Sequence, residues 1–182
     1  MTPEEATVAV FDALVALGIP FMIVGSLSSN VYGIPRSTKD ADVVVELGER
    51  SVAQIARHLG PQFKLDPQMS FETVTGTLRS ELEVVGEAFK VEIFQVSTDP
   101  HDSERFARRV PTEVYGHTVP VPTVEDVIVT KLRWARSKDK DDVRDVIAVQ
   151  GDAIDWEYVY SWADRHGTRG LLDEIRRSIP PI

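Results

Sequence analysis

Two aspartates at the head of an apolar strand constrain this chain more than any other feature. Asp40-Ala41-Asp42-Val43-Val44-Val45 opens the most β-prone run in the sequence, Ala41 to Glu46, and side chains two apart on a strand point to the same face. Asp40 and Asp42 therefore present two carboxylates side by side at the start of an otherwise apolar strand. Adjacent anions repel, and a divalent cation is the simplest compensation. Magnesium suits such a pair: it takes hard oxygen ligands from one or two carboxylates and completes its octahedron with water and phosphate oxygens. Taken alone, an Asp-x-Asp is equally at home at a solvated strand end.

The residues upstream supply the complement. Phe21-Met22-Ile23-Val24 reads as a short strand that ends at Gly25-Ser26, and a short helix follows from Leu27 to Tyr32, closed by Gly33 and Pro35. A glycine at a strand-to-helix junction lets backbone N–H groups approach a ligand, and the helix N-terminus beyond it favours an anion such as a phosphate. The Ser26 hydroxyl can donate to the same phosphate. A lone Gly-Ser is usually just a turn; the order and spacing of the two signals make them specific together.

Around this centre the pattern is mixed α/β. Thr2-Pro3-Glu4-Glu5 opens a first helix with a capping threonine, a proline at the first helical position and a glutamate three residues after the cap. Glu49 to Leu59 reads as a helix over Val52, Ile55, Ala56 and Leu59. Phe71 to Leu78 and Glu81 to Val85 read as strands, and Gly86-Glu87-Ala88 as a hairpin turn into Lys90 to Val96. Pro100, Pro111, Pro120 and Pro122 punctuate a loop-rich connection with a short basic helix around Arg105 to Arg109. From Thr123 the pattern is helical, over 124–136, 141–150, 156–165 and 171–177. Residues 1–122 are thus expected to form an α/β core, and residues 123–182 a C-terminal helical region packed on it.

Gly25-Ser26, Gly33, Arg36, Thr38, Asp40 and Asp42 together resemble the signature of the nucleotidyltransferase superfamily, which includes the palm of DNA polymerase β. The Arg-x-Thr-x-Asp-x-Asp ending is similar to the branch of abortive-infection-type toxins and their bacterial relatives. The resemblance implies a mixed β-sheet flanked by helices and transfer of a nucleoside monophosphate from an NTP with release of pyrophosphate. It also implies a third carboxylate on a later strand, a slot that Glu92 in Lys90-Val91-Glu92-Ile93-Phe94 fits. Asp40, Asp42 and Glu92 would then be catalytic and hold two Mg2+ ions, with Mn2+ as a substitute. Gly25, Ser26, Arg36 and Lys131 would bind the nucleotide.

Glu92 shares a strand face with Phe94 and Val96, where an unpaired charge is costly, so it needs a partner. A shared metal is one answer, and an edge-strand pair with Lys90 is the other. Most members of the resembled family carry aspartate in this slot. Lys131 lies inside the apolar stripe of Val124, Val127, Ile128, Leu132 and Ala135. A lysine there either snorkels or reaches an anion at the edge of the core, and the resemblance assigns it to the nucleotide phosphates. Asp139 and Asp142 also fall in a stretch that resembles the family's; acidic residues in a first turn complement the helix dipole, and both read as structural rather than catalytic.

Other readings of Asp-x-Asp fit less well. In haloacid-dehalogenase-type phosphatases the aspartate follows its apolar strand, whereas here it precedes it. Metal-dependent glycosyltransferases would leave Gly25-Ser26 unexplained. The chief rival is a module that keeps the fold to bind nucleotides or proteins without turnover.

Composition narrows the setting. The sequence has no cysteine, which excludes disulfides and thiolate zinc sites. His58, His101, His117 and His166 have no paired-ligand spacing. A formal net charge of −9 argues against wholesale binding to nucleic acid. The excess is uneven, however: residues 1–100 hold 14 acidic and 7 basic side chains, and residues 101–150 hold nine of each. A local polyanion site is therefore compatible with the sequence. Met1 to Glu5 has no basic segment of the signal-peptide kind, and no apolar run approaches the ~20 residues of a membrane span. The expectation is a cytoplasmic protein without a membrane partner, whose acceptor is an RNA or tRNA, a protein or a small molecule, and which pairs with an antitoxin if the toxin branch is the right one.

Overall fold

In the computed structural model, which describes residues 1–180, the chain begins as its capping signals dictate. Helix α1 (Pro3–Ala16) is closed at its start by a reciprocal box: Glu5 N–H donates to the Thr2 hydroxyl at 3.1 Å, and Thr2 N–H donates to the Glu5 carboxylate at 2.8 Å. Strand β1 (Phe21–Val24), helix α2 (Gly25–Tyr32) and strand β2 (Asp40–Val45) follow. Helix α3 (Val52–Leu59) starts later than its periodicity suggests, because Ser51 and Gln54 form a second capping box there.

The middle of the chain builds β3 (Phe63–Leu65), β4 (Ser70–Glu72), β5 (Thr77–Val84) and β6 (Lys90–Gln95). The expected break between Leu78 and Glu81 does not exist; the chain turns earlier, over residues 73–76, and β5 runs straight through. Glu72 causes this, because its carboxylate accepts from Thr75 N–H at 2.8 Å and from the Thr75 hydroxyl at 2.5 Å. The sheet order is β1-β2-β6-β5-β3, with β4 also on β5. Only β2 and β6 are parallel; every other pairing in this sheet is antiparallel.

Helix α4 (Pro100–Arg108) leads to a two-stranded hairpin, β7 (Val110–Val114) and β8 (His117–Val121). Its prolines disguise it as a loop. Pro111 lies opposite Pro120, and both are tolerated because neither strand has a second neighbour needing their missing N–H. Tyr115 and Gly116 both take positive φ, 53° and 74°, as a two-residue hairpin turn of the favoured hand requires. Helices α5 (Val124–Trp134), α6 (Ser137–Gln150), α7 (Trp156–His166) and α8 (Arg169–Ser178) complete the fold, with a single 3-10 turn at Gly151–Ala153.

Alternation in the strands divides the sheet into two unlike faces. Ile23, Val43, Val45, Val91 and Ile93 point to one side, where they bury Val10, Phe11 and Leu14 of α1 and Ile55 of α3. Val24, Val44 and Phe94 point to the other, where they meet Met22 and Phe106 in a small cluster. Asp42 and Glu92 belong to this second face. A separate core of Ile128, Leu132, Val143, Val146, Trp162 and Leu172 holds α5–α8 together. Tyr32 packs against both cores, and its hydroxyl donates to the Pro122 carbonyl at 2.8 Å. The end of α2 thus ties the helical part to the α/β core. No helix among the described residues is long and apolar enough to cross a membrane.

Candidate active site

The sheet register assembles the site. Parallel pairing of β2 with β6 sets Asp42 directly opposite Glu92, and antiparallel pairing of β1 with β2 sets Val24 opposite Asp42. Gly25, the first residue of α2, then lies under the Asp42 side chain. Its φ of +63° is in the left-handed region, and a Cβ added to it would meet Asp42 Oδ2 at 1.8 Å. Only glycine satisfies both constraints. The sequence reading of Gly25 as a point of close approach is thus met first by a carboxylate of the chain itself.

The two aspartates differ sharply. Asp40 Oδ1 accepts from the Thr38 hydroxyl at 2.7 Å. The Asp42 carboxylate accepts no hydrogen bond from any described residue. Burial pushes its pKa up to about 7, with the charges of Asp40 and Glu92 adding to the shift and Lys131 and Lys138 opposing it. An anion this poorly compensated, beside a second one, suits a divalent cation.

Glu92 is buried and already paired. Lys90 Nζ approaches it at 2.6 Å and Arg79 at 3.3 Å, and both cations also reach Glu81. Because β6 runs between β2 and β5, this is an interior ion cluster rather than an edge-strand pair. Among the described residues no three acidic or histidine side chains stand together as a ready-made metal cage. Asp40 and Asp42 are the carboxylates positioned to take an ion, with the remaining ligands left to water and phosphate.

Facing them is a cationic arc on α5 and α6. Lys131 is buried, and its ammonium donates to Asp142 at 2.6 Å and to Asp139 at 3.3 Å. Arg36 grips Asp142 with two parallel bonds of 2.8 and 2.9 Å, and its Nη2 also donates to the Ser26 hydroxyl at 2.9 Å. Arg136 holds Asp139 at 2.6 and 3.2 Å. Burial alone would raise Asp142, but hydrogen bonds from Arg36 and Lys131 outweigh it and hold its carboxyl below the usual range. Three cations against two carboxylates leave one positive charge, fixed opposite the aspartates.

Between sheet and arc lies a cleft that opens to solvent. Gly25, Asp40, Asp42, Glu92 and Lys131 all line it. Ser26 and Arg36 do not; the Ser26 hydroxyl is buried against Arg36, and Ser28 stands on the wall instead. Sequence reasoning passed over Arg79 and Trp134, which also line the cleft, and Lys138 of the family-like Lys-Asp-x-x-Asp stretch lines it with them. Arg79 is recoverable from the β5–β6 register, which brings it close to Glu92. Nothing local marks Trp134.

The residues 4–164 match the family described as nucleotidyl transferase of unknown function (DUF2204). Among proteins of curated function none matches this chain significantly in sequence. The fold is similar to that of ANT(2'')-Ia, solved in complex with adenylyl-2''-tobramycin (TM-score 0.65, 14% identity, covering 93% of this chain and 99% of that one). It is also similar to an antigenic nucleotidyltransferase-like protein from Paracoccidioides brasiliensis (0.55, 19%, 97% and 93%). The lincosamide antibiotic adenylyltransferase LnuA, lincomycin-bound, is a third (0.53, 12%, 82% and 98%). At these identities the likeness is one of fold.

Proposed function

Since the chain belongs to this nucleotidyl transferase family and is a nucleotidyltransferase, we propose that it moves a nucleoside monophosphate from an NTP to a hydroxyl of a small molecule. The observation that carries the reading is the unpaired Asp42 carboxylate, seated on Gly25 beside Asp40 and opposite Glu92.

Asp40 and Asp42 would hold the divalent ions, magnesium by the hardness of their oxygens and manganese as a substitute. Bound there, two such ions neutralise the triphosphate and make the acceptor hydroxyl a better nucleophile. The first N–H groups of α2 lack helical partners and would donate to phosphate oxygens. Lys131, held by Asp139 and Asp142, keeps a preset positive charge near the developing charge on the leaving pyrophosphate. The acceptor oxygen bonds to the α-phosphorus as the bond to pyrophosphate breaks, and the hydroxyl proton leaves to a nearby base. Glu92 lies on the right face for that role, with Lys90 and Arg79 holding it in place.

The carboxylates that join Asp40, Asp42 and Glu92 on the cleft wall are already answered, Glu72 by Thr75, Asp102 by Arg105 and Asp126 by Arg108, so the preference for a small acceptor rests on the proteins of similar fold. ANT(2'')-Ia and LnuA, whose folds are similar, were solved with an adenylylated aminoglycoside and with a lincosamide. The test is incubation with each α-labelled NTP and magnesium, adding in turn aminoglycosides, lincosamides, total tRNA and a cell extract. Label in a small product, lost in Asp42→Asn, supports the reading. Label in tRNA or in protein points instead to the toxin role and to an antitoxin partner. NTP binding with no transfer to any acceptor identifies a non-catalytic module.

A further inference from the structure

The elbow between α5 and α6 has features that the charge cluster alone does not require. Ala135 bridges the helices with φ +52° and ψ 19°, a left-handed conformation that costs an alanine about 1–2 kcal/mol. The turn directs Trp134 to the cleft wall on one side of it, and Lys138 on the other. Among the described residues Lys138 makes neither a hydrogen bond nor an ion pair, and its charge lowers the pKa of Asp42.

Trp134 is held by a neighbouring cation. The Arg136 guanidinium lies 4.5 Å from the centroid of its ring, and Arg136 is itself locked onto the fully buried Asp139. The preceding residue is tied down too. Arg133 grips Asp99 at 2.9 and 3.0 Å and donates to the Val74 carbonyl at 2.6 Å, so the end of α5 is anchored to the β4–β5 turn. A half-buried indole that lines a cleft, with a cation against one face, can serve as a stacking surface. The other aromatic in the cleft wall, Phe94, belongs to the sheet floor and packs in its small apolar cluster.

Resting on the transferase reading above, we infer that Trp134 is the platform for the nucleobase of the NTP, while Lys138 meets its phosphates. Stacking of this kind is tolerant of base identity, because every base has a π-face. The platform therefore contributes affinity for the nucleoside end of the substrate and none for a bare polyphosphate.

The test compares magnesium-ATP with inorganic magnesium-tripolyphosphate by calorimetry, in wild-type protein, Trp134→Ala and Trp134→Phe. For Trp134→Ala, ATP binding should weaken by at least about fivefold, the lower end of the loss expected for one base–aromatic stack. Tripolyphosphate binding should not change, and Trp134→Phe should recover most of the ATP affinity. Lys138→Met should weaken both ligands alike. Equal weakening of both ligands in Trp134→Ala overturns the platform, because it marks a merely structural tryptophan, and so does weakening of neither. If wild-type protein binds tripolyphosphate and gains nothing from the nucleoside, the platform fails while the transferase reading stands. If it binds neither, the transferase reading fails and takes the platform with it.

Discussion

Replacing Asp42 by asparagine should make the metal-free protein more stable, although it removes a residue at the centre of the site. The folded-state pKa of Asp42 is about 7 against an ordinary 3.8, so the fold binds this proton more tightly than the unfolded chain does. Stability is therefore greatest when the group is protonated. It falls as the pH rises from about 4 through about 7, and the whole penalty is present by pH 8. A shift of this size corresponds to about 4 kcal/mol; because Asp42 keeps some access to solvent, the expected gain for Asp42→Asn at pH 8 is about 2–4 kcal/mol. In a chain of this size that is a rise of roughly 5–15 °C in Tm. The assay is thermal unfolding of both proteins in a chelator at pH 8 and pH 4. The variant should melt higher at pH 8, and the two curves should converge at pH 4. Saturating magnesium or manganese at pH 8 should then raise the wild-type Tm and leave the variant where it was. A variant that is no more stable at pH 8, or a difference that persists unchanged at pH 4, refutes the account of Asp42 as an uncompensated anion.

Asp142→Asn should act in the opposite direction, because it weakens the anchor of Arg36 and Lys131. Loss of a buried partner costs about 3–5 kcal/mol, and the partial exposure of Arg36 brings the expected loss in urea denaturation to about 2–4 kcal/mol. Gly25→Ala places a methyl group against Asp42 and forces a left-handed alanine, so it should abolish transfer and cost at least about 1–2 kcal/mol. In an Asp42→Ala background the same change should cost less, and a double-mutant cycle measures the difference. Ala135→Gly relieves the strained elbow and should raise stability by about 0.5–1 kcal/mol in the same denaturation assay.

The sequence carried the site further than it carried the sheet. Asp40 and Asp42 were legible because their spacing falls at the start of an unambiguous apolar strand, and α1 because its start is written in four consecutive residues. The β4–β5 turn was misplaced because its one glycine, Gly76, stands alone in a β-prone Thr-Val-Thr run, and the device that sets the bend is the Glu72 carboxylate on Thr75. The β7–β8 hairpin was read as loop for the reverse reason: its prolines are breakers in most strands and harmless in one that has a single neighbour. Both errors lie outside the β1-β2-β6 register, although the β4–β5 turn lends Glu72 and Thr75 to the cleft wall.

Partnerships across distance were the illegible part, and they decide how the site works. Nothing local says that Arg36 spans 106 residues to Asp142, or that Lys131 meets the same carboxylate. Without that knowledge Lys131 looks like a choice between a snorkelling side chain and a free cation for phosphate. In the fold Asp139 and Asp142 hold it buried and in place, as one cation of an arc that keeps a net positive charge. Glu92 shows the same logic with the sign reversed, since Lys90 and Arg79 already compensate it. Among the described residues, the charge left over is that of Asp42 on one wall and, on the other, that of Lys138 beside the arc's net positive charge. A metal–triphosphate carries both complementary charges, positive toward the sheet and negative toward α6. The cleft is therefore matched to that complex as a unit, and removing either half of the ligand leaves one wall with an unanswered charge.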